Sequence, residues 1–180
     1  MTSRESSGPL DRLALRVRTT AQLQGTFTLR SGAVSDTYFD KFLLESDPDL
    51  LRVLVELLVP LVPGDTDVLA GLEMGGIPVA TVLSQITGLP VVFVRKKAKA
   101  YGTRKVIEGC PVSGRRLTVV EDVVSSGGQI VLSTVDLRAA GAEVDVAVAL
   151  VDRQQGGRDN LAEAGLDLRT VLTRDALRAV

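Results

Sequence analysis

The chain contains no histidine, one cysteine and only 3% aromatic residues. Without imidazole, Ser-His-Asp and Cys-His nucleophiles and every histidine-ligated metal site are excluded. Cys110 alone makes neither an internal disulfide nor a thiolate zinc cluster. Any chemistry therefore falls to acids, lysines, tyrosines and backbone dipoles. Net charge is also scarce: 21 Lys and Arg against 22 Asp and Glu leave a formal charge of −1. That balance does not suggest a nucleic-acid partner, so an anion site has to be local. The longest apolar run, "LLRVLVELLVPLV", carries Arg52, Glu56 and Pro60 and falls short of a membrane span. The N-terminus has no apolar core of signal-peptide length. These absences predict a cytoplasmic protein with no membrane and no nucleic-acid partner.

What is present suits one folded unit, since 180 residues at 45% hydrophobic are enough for one domain with a sizeable core. Residues 1–9, "MTSRESSGP", are polar and read as a loose start, leaving 10–180 as the domain. "LDRLALRVRTTAQL" has Leu10, Leu13, Ala14 and Val17 at helical spacing and stops before Gly25. "FTLRSGAVSDTYFD" alternates around Ser31-Gly32, which predicts a hairpin from Phe27 to Asp40. "SDPD" caps a helix over Leu50–Val59. From residue 68 the pattern becomes regular. "VLAGLEMGG" is strand then turn, "IPVATVLSQITG" a helix and "PVVFVRK" a strand. "RRLTVVED" is the next strand, "GGQIVLSTVDLRAAG" a helix and "EVDVAVALVDR" another strand. Nearly continuous apolar, β-branched strands alternating with helices predict an α/β fold with a parallel sheet covered on both faces. "KKAKAYGTRKVIEG" interrupts this pattern as a basic, glycine-broken loop, too charged for a core.

One stretch, "VVEDVVSSGG" at 119–128, carries chemistry in its residue types. In an open parallel sheet ligands collect beyond the carboxyl ends of the strands, where the Glu121-Asp122 pair falls. Two adjacent carboxylates repel and need compensation, which ribose hydroxyls supply directly or with a bound Mg²⁺ nearby. Ser125, Ser126, Gly127 and Gly128 then offer hydroxyls and a flexible backbone at the start of a helix, where the dipole favours a phosphate. Together they describe a site for a ribose 5-phosphate. The competing reading is a solvated acidic turn followed by a helix cap.

The stretch resembles the phosphoribosyl pyrophosphate (PRPP) fingerprint of type I phosphoribosyltransferases. Four further segments resemble the orotate phosphoribosyltransferases among them. "FTLRSGAVSDTYFD" is similar to their N-terminal hood over orotate, with Arg30, Tyr38 and Phe39 in the matching places; an arginine fork suits a planar carboxylate and an aromatic ring stacks on a pyrimidine. "LVDRQQGGRDNLAEAGLDLRTVLT" resembles their C-terminal stretch, with Arg153 toward the orotate carboxylate. "GLEMGGIPVAT" matches their pyrophosphate loop, through Glu73, Met74, Gly75 and Gly76, with Gly71 before it. "FVRKKAKAYGTRKVIEG" resembles their catalytic loop, with Arg95, Lys96 and Lys99 toward pyrophosphate. Tyr101 stands where many members have histidine, and Gly75 where some have lysine. The resemblance spans about residues 10–175.

It implies a type I phosphoribosyltransferase-like central parallel sheet flanked by helices. A small hood would be built from about 10–45 and the C-terminal part. It further implies transfer of the 5-phosphoribosyl group from PRPP to orotate, giving orotidine 5′-monophosphate and pyrophosphate. Mg²⁺ would be the cofactor, held mainly by PRPP and water with no direct protein ligand. Lys99, Tyr101, Glu121 and Asp122 would be catalytic, Val124–Gly128 would bind the 5′-phosphate, and Ser125 would also meet orotate. A homodimer sharing the basic loop between subunits follows as well. A phosphoribosyltransferase for another base and a non-catalytic PRPP sensor are the alternatives.

Overall fold

The computed structural model describes residues 8–28, 32–97 and 105–180. Helix α1 (Pro9–Ala21) has proline in its first turn and Asp11 returning to the Gly8 N–H at 2.8 Å, a favourable start for the dipole. Its Leu13, Ala14, Val17 and Ala21 are buried. The hairpin of β1 (Gln22–Thr28) and β2 (Val34–Phe39) begins earlier than the alternation around Phe27 predicts. Gln22 pairs with Phe39, and a register shift between Gln24 and Phe27 breaks the alternation that marks a strand in sequence. A short helix, α2 (Phe42–Glu45), follows, and then α3 (Pro48–Leu58) is capped by Asp47, whose carboxylate accepts from the N–H groups of Asp49 and Leu50.

The main sheet contains β3 (Val68–Leu72), β4 (Val91–Val94), β5 (Ile107–Glu108), β6 (Arg116–Val124), β7 (Glu143–Asp152) and β8 (Asp167–Thr173). Its spatial order is β5-β4-β3-β6-β7-β8, parallel throughout except for the antiparallel edge strand β5. That edge corrects the reading of the whole basic stretch as an exposed loop too charged for a core: Ile107 pairs with Val94, and Val106 and Ile107 pack against the core. Helix α4 (Gly76–Thr87) links β3 to β4, and α5 (Gly128–Ala139) links β6 to β7. Helices α6 (Gly157–Glu163) and α7 (Arg174–Arg178) complete the chain.

The central strands β3, β6 and β7 bury both faces over most of their length. In β3, Leu69 joins one core with α1, α3 and α4, whereas Val68, Ala70 and Leu72 join the other, which Ile130 and Leu137 of α5 and Leu161 of α6 complete. This two-sided covering explains the near-continuous apolar strands. The chain leaves β3 toward β4 on one side and returns to β6 on the other. The strand order therefore reverses between β3 and β6, and a crevice opens there at their carboxyl ends.

Candidate active site

Strand β6 runs two residues past the predicted end, so Glu121 and Asp122 lie within it, 9% and 1% exposed, and Val123 and Val124 complete it. From Ser125 the chain turns into α5. Gly127 sits at φ 73°, and a Cβ there would stand 2.7 Å from Leu161 Cδ1, so the turn requires glycine. The first-turn N–H groups of α5 have no intrahelical acceptor and point toward the crevice end of the helix. Asn160 of α6 fixes the loop by donating to the Ser126 carbonyl at 2.9 Å. A cavity of about 250 Å³ opens here, lined by Lys41, Glu73, Lys96, Glu121 and the chain from Val123 to Ile130.

The β3 loop meets this cavity from the other side of the strand reversal. The Glu73–Met74 peptide is cis. Glu73 Oε2 accepts from the Lys96 N–H at 2.9 Å, which ties the loop to the chain leaving β4. Met74 is exposed, whereas Gly75 and Gly76 are buried. A Cβ on Gly75 would lie 2.1 Å from Asp122 Oδ2, so the glycine is what lets the β3 loop close against the acid. Arg95 follows β4 and is half-buried.

Sequence reasoning missed two residues that the fold brings to this place. Lys41, at the start of α2, donates from Nζ to Asp122 Oδ1 at 3.0 Å and stands 2.7 Å from Oδ2. Glu45, one helical turn later, stands within side-chain hydrogen-bonding reach of Asp122. The Asp40-Lys41 pair directly after Tyr38-Phe39 was the available signal for Lys41; nothing local marked Glu45. Glu45 Oε1 is buried without a hydrogen-bond donor among the described residues, whereas Asp122 Oδ2 has the Lys41 ammonium at 2.7 Å. A proton on Glu45 lets that carboxyl donate to Asp122 instead of facing it as a second anion. Burial, then the hydrogen bond to Asp122, push the Glu45 carboxyl up to about 9. Burial and the hydrogen bond with Asp122 also lift Glu121 well above the usual range. For Asp122 burial opposes the charge, but hydrogen bonds from Glu121 and Glu45 and the Lys41 ammonium outweigh it and hold its carboxyl low. For Lys41 burial likewise works against the ammonium, and the Asp122 charge overcomes it and raises the lysine. Asp122 is thus held as the carboxylate against the Lys41 ammonium, beside two carboxyls whose protonated forms burial favours.

A second cavity, of about 280 Å³, lies over the end of β7. Tyr38, Phe39 and Arg153 all line it, joined by Arg18, Arg174 and Arg178. Tyr38 is 44% exposed and packs on Phe27 with ring centroids 5.4 Å apart, while Phe39 leans partly on the core. Asp152 is buried and turned to Arg158 at 3.8 Å and to the Gln154 N–H, which leaves the Arg153 side chain to the cavity. Ser125 lines the first cavity. Arg30, Lys99 and Tyr101 lie outside the described residues.

A crevice at a strand reversal, a glycine turn into a helix start and a buried acid pair define a protein class that binds a phosphorylated ribose. Comparison with known proteins narrows this. A family model described as the phosphoribosyl transferase domain matches residues 59–164. The orotate phosphoribosyltransferase of Nocardioides sp. is 51% identical over 167 residues, 93% of either chain. Among solved structures, the Mycobacterium tuberculosis orotate phosphoribosyltransferase in complex with Fe(III) dicitrate superposes with a TM-score of 0.83 at 33% identity, covering 93% of this chain and 98% of that one. The same enzyme in complex with PRPP gives 0.79 at 29% identity, with 94% and 98% covered. The chain belongs to the orotate phosphoribosyltransferase family.

Proposed function

We infer that the chain transfers the 5-phosphoribosyl group of PRPP to orotate, releasing pyrophosphate and forming orotidine 5′-monophosphate for pyrimidine nucleotide synthesis. The observation that carries this reading is the pairing of two cavities on adjacent strands, one acid-floored and ending at a helix start, the other lined by aromatics and arginines. Asp122 and Glu121 receive the ribose diol. The turn from Val124 to Gly128 binds the 5′-phosphate through its N–H groups and the two serine hydroxyls. Arg153 and Arg30 pair with the orotate carboxylate, and Tyr38 and Phe39 flank the ring.

As orotate N1 bonds to C1′, the bond from C1′ to the diphosphate oxygen breaks and that oxygen keeps the electron pair. Negative charge then grows on the diphosphate. Glu73–Gly76 meet it with backbone groups, and Arg95, Lys96 and Lys99 meet it with positive charge, with Tyr101 as a hydrogen-bond donor. Orotate N1 is acidic enough for its anion to attack without a histidine base. The oxygen-rich lining, which includes Glu73, Ser125 and Ser126, fits a hard cation that keeps several waters. Mg²⁺ arriving on PRPP oxygens would neutralise part of the diphosphate charge. The reading also makes the enzyme a cytoplasmic homodimer whose basic loop serves the neighbouring subunit.

The test is to follow orotate absorbance with the protein, PRPP and Mg²⁺, with uracil and hypoxanthine in parallel. PRPP-dependent loss of orotate alone is expected. Consumption of another base in its place would overturn the substrate, and PRPP binding without turnover on any base would overturn the activity.

A further inference from the structure

We propose that Lys41 and Glu45 are positioning residues for Asp122, together fixing the place and orientation of its carboxylate beneath the crevice that receives an anionic sugar phosphate. This rests on the phosphoribosyl-transfer reading of the site. The ligand of this crevice carries a phosphate and a diphosphate, so three ionised carboxylates at its floor would repel it at a few ångströms. Glu45, Glu121 and Asp122 are three such groups. Lys41 is the cation that meets them: its Nζ lies 2.7 and 3.0 Å from the two Asp122 oxygens and also lines the phosphate cavity.

The geometry assigns complementary tasks to the two residues. They stand four positions apart on one turn, so both side chains project from the same face of α2. Lys41 supplies charge to the carboxylate from the cavity side, and the Val123 N–H fixes Oδ1 at 2.7 Å. Glu45, whose Oε1 is buried without a partner among the described residues and which lines a separate groove rather than the phosphate cavity, approaches Asp122 from the protein side, where its protonated form supplies a donor. Asp122 is thereby held in a fixed orientation, almost wholly covered at 1% exposed. The groups facing Glu45 are Lys41 and Asp40 from its own segment and Asp122 from β6. Arg52 and Glu56 of α3 line the groove beyond it.

The test measures PRPP affinity by calorimetry and the KM values for PRPP and orotate in full-length Lys41→Met, Glu45→Ala, Glu45→Gln and Asp122→Asn, with thermal melts to confirm folding. Lys41→Met is expected to weaken PRPP at least tenfold while changing the orotate KM less than twofold. Glu45→Ala weakens PRPP as well, and Glu45→Gln, which keeps a donor toward Asp122, recovers most of that loss. Adding Lys41→Met to Asp122→Asn costs little more than Asp122→Asn alone, because the lysine acts through that acid. Should Lys41→Met fold poorly, the contrast between alanine and glutamine at position 45 still decides. Wild-type PRPP affinity in folded Lys41→Met, equal losses in both Glu45 variants, or full additivity with Asp122→Asn overturns the assignment. A wild-type protein that binds no PRPP sinks the phosphoribosyl reading itself, which separates the two failures.

Discussion

Gly75→Ala tests the floor of the site with one methyl group. The added Cβ would stand 2.1 Å from Asp122 Oδ2 and 2.4 Å from Cγ, roughly 1.3 Å inside ordinary contact, which begins near 3.4 Å. The obstacle is no flexible side-chain end: Asp122 is held by Lys41 at 2.7 Å and by the Val123 N–H at 2.7 Å. Either the acid retreats by about 1 Å and loses those partners, or the β3 loop lifts away from β6. Overpacking of this kind costs about 1–3 kcal/mol of stability, and a chain of this size loses about 2–4 °C in Tm for each kcal/mol. A displacement of about 1 Å at a positioned group is worth ~100-fold in rate, or ~2.7 kcal/mol in the barrier. The expected variant is therefore folded, with Tm lowered by several degrees and kcat/KM for PRPP reduced ~100-fold. Steady-state kinetics at saturating orotate, with a parallel melt, give both numbers. Unchanged kcat/KM in a folded variant would refute the argument, because Asp122 could then move without consequence for the ribose.

Arg153→Ala should raise the KM for orotate at least tenfold and leave PRPP affinity within about twofold, as read by calorimetry; equal losses for both ligands would mean that the second cavity is not the orotate pocket. Lys99→Ala should lower kcat at least tenfold with PRPP binding nearly intact, and wild-type turnover would remove that lysine from the mechanism. The buried acids also set the pH dependence of stability. Glu45, raised in the folded state to about 9 from its ordinary 4.5, favours folding below its unfolded value, and this contribution drains away as pH rises from about 4.5 to 9. Melts of wild type should accordingly show Tm falling across that window, with a shallower fall in Glu45→Gln; parallel slopes would show that Glu45 is already ionised.

The turn from β6 into α5 was readable because its chemistry is local: the acids, the serines and the glycines follow one another along β6 and into α5, and both elements have strong apolar signatures. The strand reversal between β3 and β6 was implicit in the alternation of strands and helices, although its spatial order is a property of the folded sheet. Lys41 and Glu45 were not readable in the same way. Lys41 meets Asp122 across 81 residues of sequence, and α2 is a single turn, too short for periodicity to mark. Edge strand β5 was hidden for a similar reason, since two residues inside a basic stretch give no pattern and only pairing with β4 makes them a strand. The early start of the hairpin was masked by the irregular register near Gly25.

The Arg153 N–H donates to the Val124 carbonyl at 2.8 Å, a rung between parallel strands β6 and β7 at the point where both end. The ends of β6 and β7, from which the two cavities open, are therefore held at the sheet's own gauge, about 4.8 Å from strand to strand. Loops around them are free to change the lining of either cavity. The spacing of the strand ends beneath is ruled by main-chain hydrogen bonding, where side-chain variation does not reach.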